Sequence, residues 1–267
     1  MDLSFENYDS ILTELKGKGL DLHLRSETLL KRKLENFFDQ KKISSVDLFS
    51  QNTSSSGFIS ELQHYLIVDK TEVFRYADAW NFLRSFIEMK GGAHHFSIYI
   101  PQCASGEDLI SFAIIFDRLG FSNYSISADA ENEQKLLRAK ALYFEDFKHD
   151  VSHQNFGIVF DKSLFENYFS LREKKYFFNK NVDKHIVWST DTLERKTNIQ
   201  QHEIVYAANI LNQYKSEGQR NLLANLYAAT KLNGYLILGN QEPMPLGFYA
   251  NMFKKVDDKL PIYQKTK

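Results

Sequence analysis

The chain has 267 residues, 43% hydrophobic and 25% charged, a globular composition that excludes disordered and collagen-like classes. Its 33 Lys and Arg balance 34 Asp and Glu to a formal net charge of −1, which removes any electrostatic case for nucleic acid as the main partner. The lone cysteine, Cys103, excludes an intrachain disulfide framework. The N-terminal run has neither a basic n-region nor an apolar h-region, and no stretch nears the roughly 18 apolar residues of a membrane span, so the expected location is cytoplasmic.

Residues 3–40 read as helical, with Leu12, Leu15 and Leu20, then Leu29, Leu30, Leu34, Phe37 and Phe38 at roughly helical spacing. Gly17 and Gly19 should end the first helix. Segment 44–57 is rich in Ser, Asn and Gln and reads as a loop, followed by a helix over 57–66. Residues 1–70 therefore form an expected N-terminal helical domain, and 71–267 an α/β domain. In the latter, helix 78–87 leads through Gly91-Gly92 to strand 96–100, turn 101–106, helix 107–119, strand 123–128 and helix 131–141. This alternation predicts a parallel sheet with right-handed crossovers. Segment 145–188 breaks it, with a helix near 164–169 and strand-like runs at 176–178 and 186–188, and reads in part as an inserted β-containing subdomain. The alternation resumes with strand 204–207, helix 216–231, strand 235–238 behind Asn233-Gly234, and a last strand at 261–263.

Three features carry chemistry. The small residues Ala104, Ser105 and Gly106 follow the first strand, where open α/β sheets place ligands and where a bare backbone can approach one. An ordinary strand–helix turn is the plain alternative. Asp129, at the end of the next strand, can accept hydrogen bonds from both hydroxyls of a ribose, or cap a helix. The pair favours a nucleoside ligand, either NAD or S-adenosylmethionine. Arg75, in the stretch Asp69-Lys-Thr71-Glu-Val-Phe74-Arg75, can hold a carboxylate bidentately, such as that of S-adenosylmethionine, or stand in solvent. His94-His95 lacks partners at metal spacing, Cys103 lacks a His partner, and Lys31-Arg32-Lys33 reads as a solvated helix face. No metal is expected.

In order along the chain, these segments resemble the CheR chemotaxis receptor methyltransferases. Residues 66–75 are similar to that family's T-x-N-x-T-x-F-F-R, with Asp69 for Asn and Val73 for the first Phe. Cys103-Ala-Ser-Gly-Glu-Asp-Leu-Ile-Ser111 is similar to C-S-T-G-E-E-P-Y-S. Ser127-Ala-Asp129-Ala resembles A-T-D-I, and Ala139-Lys-Ala-Leu-Tyr143 loosely matches A-x-x-G-x-Y. Ala207-Ala-Asn209-Ile-Leu-Asn-Gln213-Tyr214 matches C-R-N-V-x-I-Y-F, and Leu232–Glu242 resembles P-x-G-x-L-x-x-G-H-S-E.

The resemblance implies a Rossmann-like S-adenosylmethionine-dependent methyltransferase sheet, an N-terminal all-helical domain and a small inserted β-subdomain. It implies S-adenosylmethionine as cofactor and a helical chemoreceptor-like signalling protein as partner, whose glutamates are esterified. By position, Asp69, Thr71 and Arg75 lie at the methionine end, with Cys103, Ser105, Gly106 and Glu107 beside it. Asp129 takes the ribose, Asp191 or Thr192 stands near the adenine, and Ala208 and Asn209 line the site. Arg75 and Tyr214 are the implied catalytic pair. Two departures weaken the acceptor end: the family's Arg is Ala208, and its Tyr is Gln213, with Tyr214 next door. The rival reading is a catalytically impaired CheR-like module that binds S-adenosylmethionine or a protein. A dehydrogenase is disfavoured by the missing glycines of a dinucleotide turn.

Overall fold

The computed structural model describes residues 5–66, 72–193, 196 and 198–267. They fall into two compact units, one within 1–68 joined by 212–219, the other within 69–211 joined by 220–267.

The first unit packs helices α1 (Phe5–Gly17), α2 (Glu27–Lys41), α3 (Val46–Thr53) and α4 (Ser56–Leu66). Ile11, Leu15, Leu34, Phe38, Phe49 and Leu62 are fully buried among them, following the helical spacing of the apolar residues. Helix α3 replaces the expected loop at 44–57. Ser45 caps it, its side chain accepting from the Leu48 amide at 3.2 Å, and Phe49 anchors it in the core. A polar composition thus concealed a cap and one buried ring. The basic cluster is partly committed: Lys31 pairs with Glu27 at 2.9 Å, and Lys33 donates to the Leu66 carbonyl at 2.6 Å, at the end of α4 where a cation is favoured. The strand-like piece around Tyr214 joins this unit. The Ser26 amide donates to the Gln213 carbonyl at 2.7 Å, and the Lys215 amide to the Leu24 carbonyl at 2.8 Å.

The second unit holds the sheet. Its elements are α5 (Ala77–Lys90), β1 (Phe96–Ile100), α6 (Glu107–Leu119), β2 (Tyr124–Asp129), α7 (Glu133–Lys140), β3 (Tyr143–Glu145), α8 (His149–Val159), β4 (Phe169–Arg172), β5 (Lys175–Phe178), β6 (Ile186–Ser189) and β7 (His202–Tyr206). Helix α9 (Ser216–Ala229) then leads to β8 (Thr230–Ile237), β9 (Phe253–Lys255) and β10 (Ile262–Lys265). Seven strands lie in the order β6-β2-β1-β7-β8-β10-β9. The first five are parallel, and β10 and β9 close the edge antiparallel. The chain starts at β1, builds outward through β2 and β6, then restarts at β7 on the other side of β1. A crevice therefore opens beyond the carboxyl ends of β1 and β7, where neighbouring connections leave in opposite directions.

The sheet is apolar on both faces because helices cover both. Phe96, Ile98, Ile126, Ile204, Leu236 and Ile237 are at most 1% exposed. Helix α6 is buried along Leu109–Phe116, as a central crossover helix must be. Strand β6 pairs with β2 in this main sheet, while β3, β5 and β4 form a separate antiparallel sheet within 143–178. Helix α8 lies inside that stretch, and the expected helix near 164–169 is a 3-10 segment, Lys162–Asn167, running into β4. Asn233-Gly234 sits within β8 instead of introducing it. The register to β7 shifts there, and Asn233 takes a φ of 62°, the geometry of a bulge. No described helix is long and apolar enough to cross a membrane.

Candidate functional site

The turn after β1 is tight. Ala104 and Gly106 are both left-handed, with φ of 45° and 99°. The Gly106 amide donates to the Cys103 carbonyl at 2.9 Å, and the Cys103 amide to the Asp129 carbonyl at 2.8 Å, which binds the turn to the end of β2. A Cβ on Gly106 would meet the Ala139 carbonyl oxygen at 2.8 Å. This glycine is therefore demanded by its own backbone and by α7, a more specific reason than room for a ligand. Cys103 is buried, and burial pushes its thiol well above the usual range, so it stays protonated and is no nucleophile.

Two carboxylates open α6, and their surroundings differ. Glu107 is fully buried, accepts from the Ser105 hydroxyl, and faces the Lys148 ammonium at 3.4 Å and the Arg138 guanidinium at 4.0 Å. Arg138 also donates to the Ser105 carbonyl at 3.0 Å. Asp108 is 4% exposed, and its Oδ1 has no hydrogen-bond partner among the described residues. Burial, then the Glu107 charge, pushes its carboxyl up to about 8, against the weaker pull of Arg75. An orphaned buried carboxylate oxygen is costly to the fold and is what a cationic ligand group would satisfy.

Arg75 is set by its backbone. Phe74 and Tyr76 on either side are left-handed, with φ of 54° and 62°. The Phe74 amide donates to Ser111 Oγ at 2.8 Å, and that hydroxyl donates to the Glu107 carbonyl at 2.8 Å, tying the segment to α6. The Trp80 indole donates to the Arg75 carbonyl at 2.8 Å. The Arg75 guanidinium, 28% exposed, lies 3.4 Å from a Glu72 oxygen and 5.0 Å from the Tyr76 ring centre. Asp69 and Thr71 lie outside the described residues.

Asp129 ends β2 with its carboxylate fully buried. It accepts from the Tyr99 phenol and from the Lys196 ammonium at 2.7 Å. Burial raises its pKa, and those two donors pull it back. Asp191 is exposed, whereas Thr192 is buried and shares a small hollow with Pro101, Gln102, Glu131, Leu193 and Ile210. Of the two alternatives, Thr192 is the one in a wall beside the ends of β1 and β2.

Beyond β7, Asn209 is left-handed with φ of 64°. Glu242, 3% exposed, holds it: one carboxylate oxygen accepts from the Asn209 amide and from the Gly239 amide, the latter at 2.6 Å. The Tyr76 hydroxyl donates to Asn209 Oδ1 at 2.7 Å, joining the Arg75 segment to the end of β7. Ala208 is half-buried beside it. Tyr214 and Gln213 fall in the first unit. The Arg25 guanidinium stacks 4.2 Å from the Tyr214 ring centre and donates to Gln213 Oε1 at 3.0 Å.

The second unit therefore gathers Arg75, Ser105, Gly106, Glu107, Asp129, Thr192, Ala208 and Asn209 at the carboxyl ends of β1, β2 and β7. Sequence reasoning missed Asp108, Lys196, Tyr76 and Glu242. An acidic pair in the first turn of a helix was a readable signal for Asp108. Lys196 had none, since its partner is 67 residues away. Among the described residues no cluster of three His, Cys, Asp or Glu could hold a metal.

Residues 69–260 match the family model described as CheR methyltransferase, SAM binding domain. A protein of Pseudomonas putida (strain KT2440) named "Putative methyltransferase Cher3" is 19% identical over 212 residues, covering 79% of this chain and 78% of that one. Among solved structures, the N-methyltransferase NodS of Bradyrhizobium japonicum WM9 in complex with S-adenosyl-L-homocysteine is similar at a TM-score of 0.42 and 12% identity, covering 74% of this chain and 90% of that one. The CMeT domain of the citrinin polyketide synthase is similar at 0.41 and 10% identity, over 74% and 43%. Matched over most of its length by the family model, the chain belongs to the CheR methyltransferase family and carries that family's S-adenosylmethionine-binding domain.

Proposed function

We propose that the protein esterifies glutamate side chains of a helical chemoreceptor-like signalling protein in the cytoplasm. When bound, S-adenosylmethionine supplies an electrophilic methyl group on a sulfonium. The observation that carries the reading is the orphaned oxygen of the Asp108 carboxyl beside the β1 turn, with Asp129 at the end of β2. Asp108, protonated until then, would release its proton as the cofactor's ammonium group arrives and form a charge-assisted bond that gives its unpartnered oxygen a donor. Glu107, already faced by Lys148 and Arg138, shapes the electrostatics around it. Asp129 would take the ribose hydroxyls and Thr192 would border the adenine. Arg75 would hold a carboxylate.

A glutamate acceptor is already ionised at neutral pH, so the residues around it need to align it, not deprotonate it. Asn209, fixed by Glu242 and Tyr76, and Arg75 stand closest to that task. A catalytic role for Tyr214 is carried by resemblance alone.

The test is incubation with a methyl-labelled cofactor and a purified helical chemoreceptor fragment, followed by alkali. A glutamyl methyl ester releases volatile methanol. Label that resists alkali would refute the carboxylate acceptor. A second reading has its own support. Ala208 carries no cation, and Gln213 is tied to Arg25, so the two positions that should grip the acceptor are blank or occupied. Cofactor binding with no methyl transfer to any receptor fragment would favour a catalytically impaired binding module.

A further inference from the structure

The Asp129 fork is filled from within the chain. The Lys196 ammonium lies 2.7 Å from Oδ1 and 2.7 Å from Oδ2, centred between the two oxygens. Tyr99 donates its phenol to Oδ2 from the neighbouring strand. A ribose diol needs the same two oxygens, one for each hydroxyl, and the ammonium centred between them occupies the position from which a diol would bridge both. On the cofactor reading above, we propose that Lys196 is an affinity-determining residue that competes with the ribose diol for Asp129, so that cofactor binding exchanges an internal ammonium for two hydroxyls.

Three observations support the exchange. Asp129 is fully buried, and a carboxylate there is costly without a cation, so the ligand-free site needs Lys196 in place. The lysine also has somewhere to go. Its ammonium already lies 4.9 Å from the Tyr99 ring centre and its side chain is 18% exposed, so a modest rotation carries the charge onto the ring face or into water. Finally, its backbone is fixed to the site's wall, since the Lys196 amide donates to the Thr192 carbonyl at 3.1 Å. The side chain can leave while its anchor stays. The device tunes affinity without abolishing it, because one set of hydrogen bonds to Asp129 replaces another.

The test is calorimetry of the full chain with S-adenosylhomocysteine, comparing wild type with Lys196→Met and Lys196→Arg. Lys196→Met removes the competitor and should bind about fivefold more tightly, the equivalent of about 1 kcal/mol. Lys196→Arg should bind about fivefold or more weakly, because a guanidinium grips a carboxylate with two parallel bonds and is harder to displace. The two effects run in opposite directions, so the proposal survives failure of either variant to fold. The gain in Lys196→Met should extend to adenosine and vanish for 2′,3′-dideoxyadenosine, which a general loosening of the site would not produce. Weaker binding by Lys196→Met, or equal affinity in all three proteins, would overturn the competition while leaving the cofactor reading intact. No heat from any of the three would overturn the cofactor reading and the competition with it.

Discussion

Asp108 offers the most direct link between site and stability. In the folded chain its carboxyl keeps its proton up to about pH 8, whereas its ordinary value is 3.8. Between those values the native state holds one proton that the unfolded chain has released. Unfolding then gives up a proton, so stability falls as pH rises, by about 1.4 kcal/mol per unit. Over the whole window this sums to about 5–6 kcal/mol, a large share of the roughly 5–15 kcal/mol that a native protein commands. Asp108→Asn keeps the shape and removes the titration. The variant should match wild type to within about 1 kcal/mol at pH 4.5 and exceed it by about 4 kcal/mol at pH 8. Urea unfolding, followed by the fluorescence of buried Trp80, measures both curves. The same variant should bind S-adenosylhomocysteine about 10- to 100-fold more weakly at pH 7.5, the worth of one charged hydrogen bond. Stability would thus be gained where ligand binding is lost. Parallel stability curves for the two proteins between pH 4.5 and 8 would refute the argument.

Three further outcomes are expected. Gly106→Ala should cost about 2–4 kcal/mol in urea unfolding and reduce cofactor affinity, since the new Cβ carries a left-handed penalty and lands 2.8 Å from the Ala139 carbonyl; loss of affinity without loss of stability would contradict it. Glu242→Ala strips the shared acceptor from the Asn209 and Gly239 amides, and should cost about 2–3 kcal/mol with a larger effect on methyl transfer than on S-adenosylhomocysteine binding. His202, 7% exposed and stacked on Tyr99, is pushed down to about 4 chiefly by burial. Its contribution is present above its ordinary value of 6.5 and is lost as pH falls from there toward 4, up to about 3 kcal/mol. His202→Phe should flatten that acid limb, and an unchanged limb would show that the ring titrates normally.

The alternation of short apolar-rich runs and amphipathic stretches was enough to place β1, α6, β2, β7 and β8 and to require a parallel sheet, because a helix between two strands carries the chain back to start the next strand in the same direction. It also marked the residues that local backbone geometry brings to strand ends: Gly106, Glu107, Asp129 and Asn209 each sit where the element boundary is encoded within a few neighbouring residues. What failed at that level was set by partners far along the chain. Helix α3 depends on Phe49 finding a core. Strand β6 looked like part of an insertion until its pairing with β2 placed it in the main sheet. The Asn233-Gly234 bulge exists only because β7 runs beside it.

The site divides in the same way. Of its acids, Glu107 and Asp129 were marked in the sequence while Asp108 and Glu242 were not, and which one is partnered was not legible. Glu107 and Asp108 are adjacent and chemically alike, yet Lys148 and Arg138, 41 and 31 residues downstream, face the first, and the second keeps an orphaned oxygen. Likewise Asp129 was legible as a candidate ribose acceptor, while the lysine in its fork arrives from the middle of the β6–β7 connection. Sequence alone marked Arg75, Glu107 and Asp129 as charges of the candidate site and left Asp108, Lys196 and Glu242 unmarked. Burial and long-range pairing, which no local pattern records, decided which of those charges are still unsatisfied.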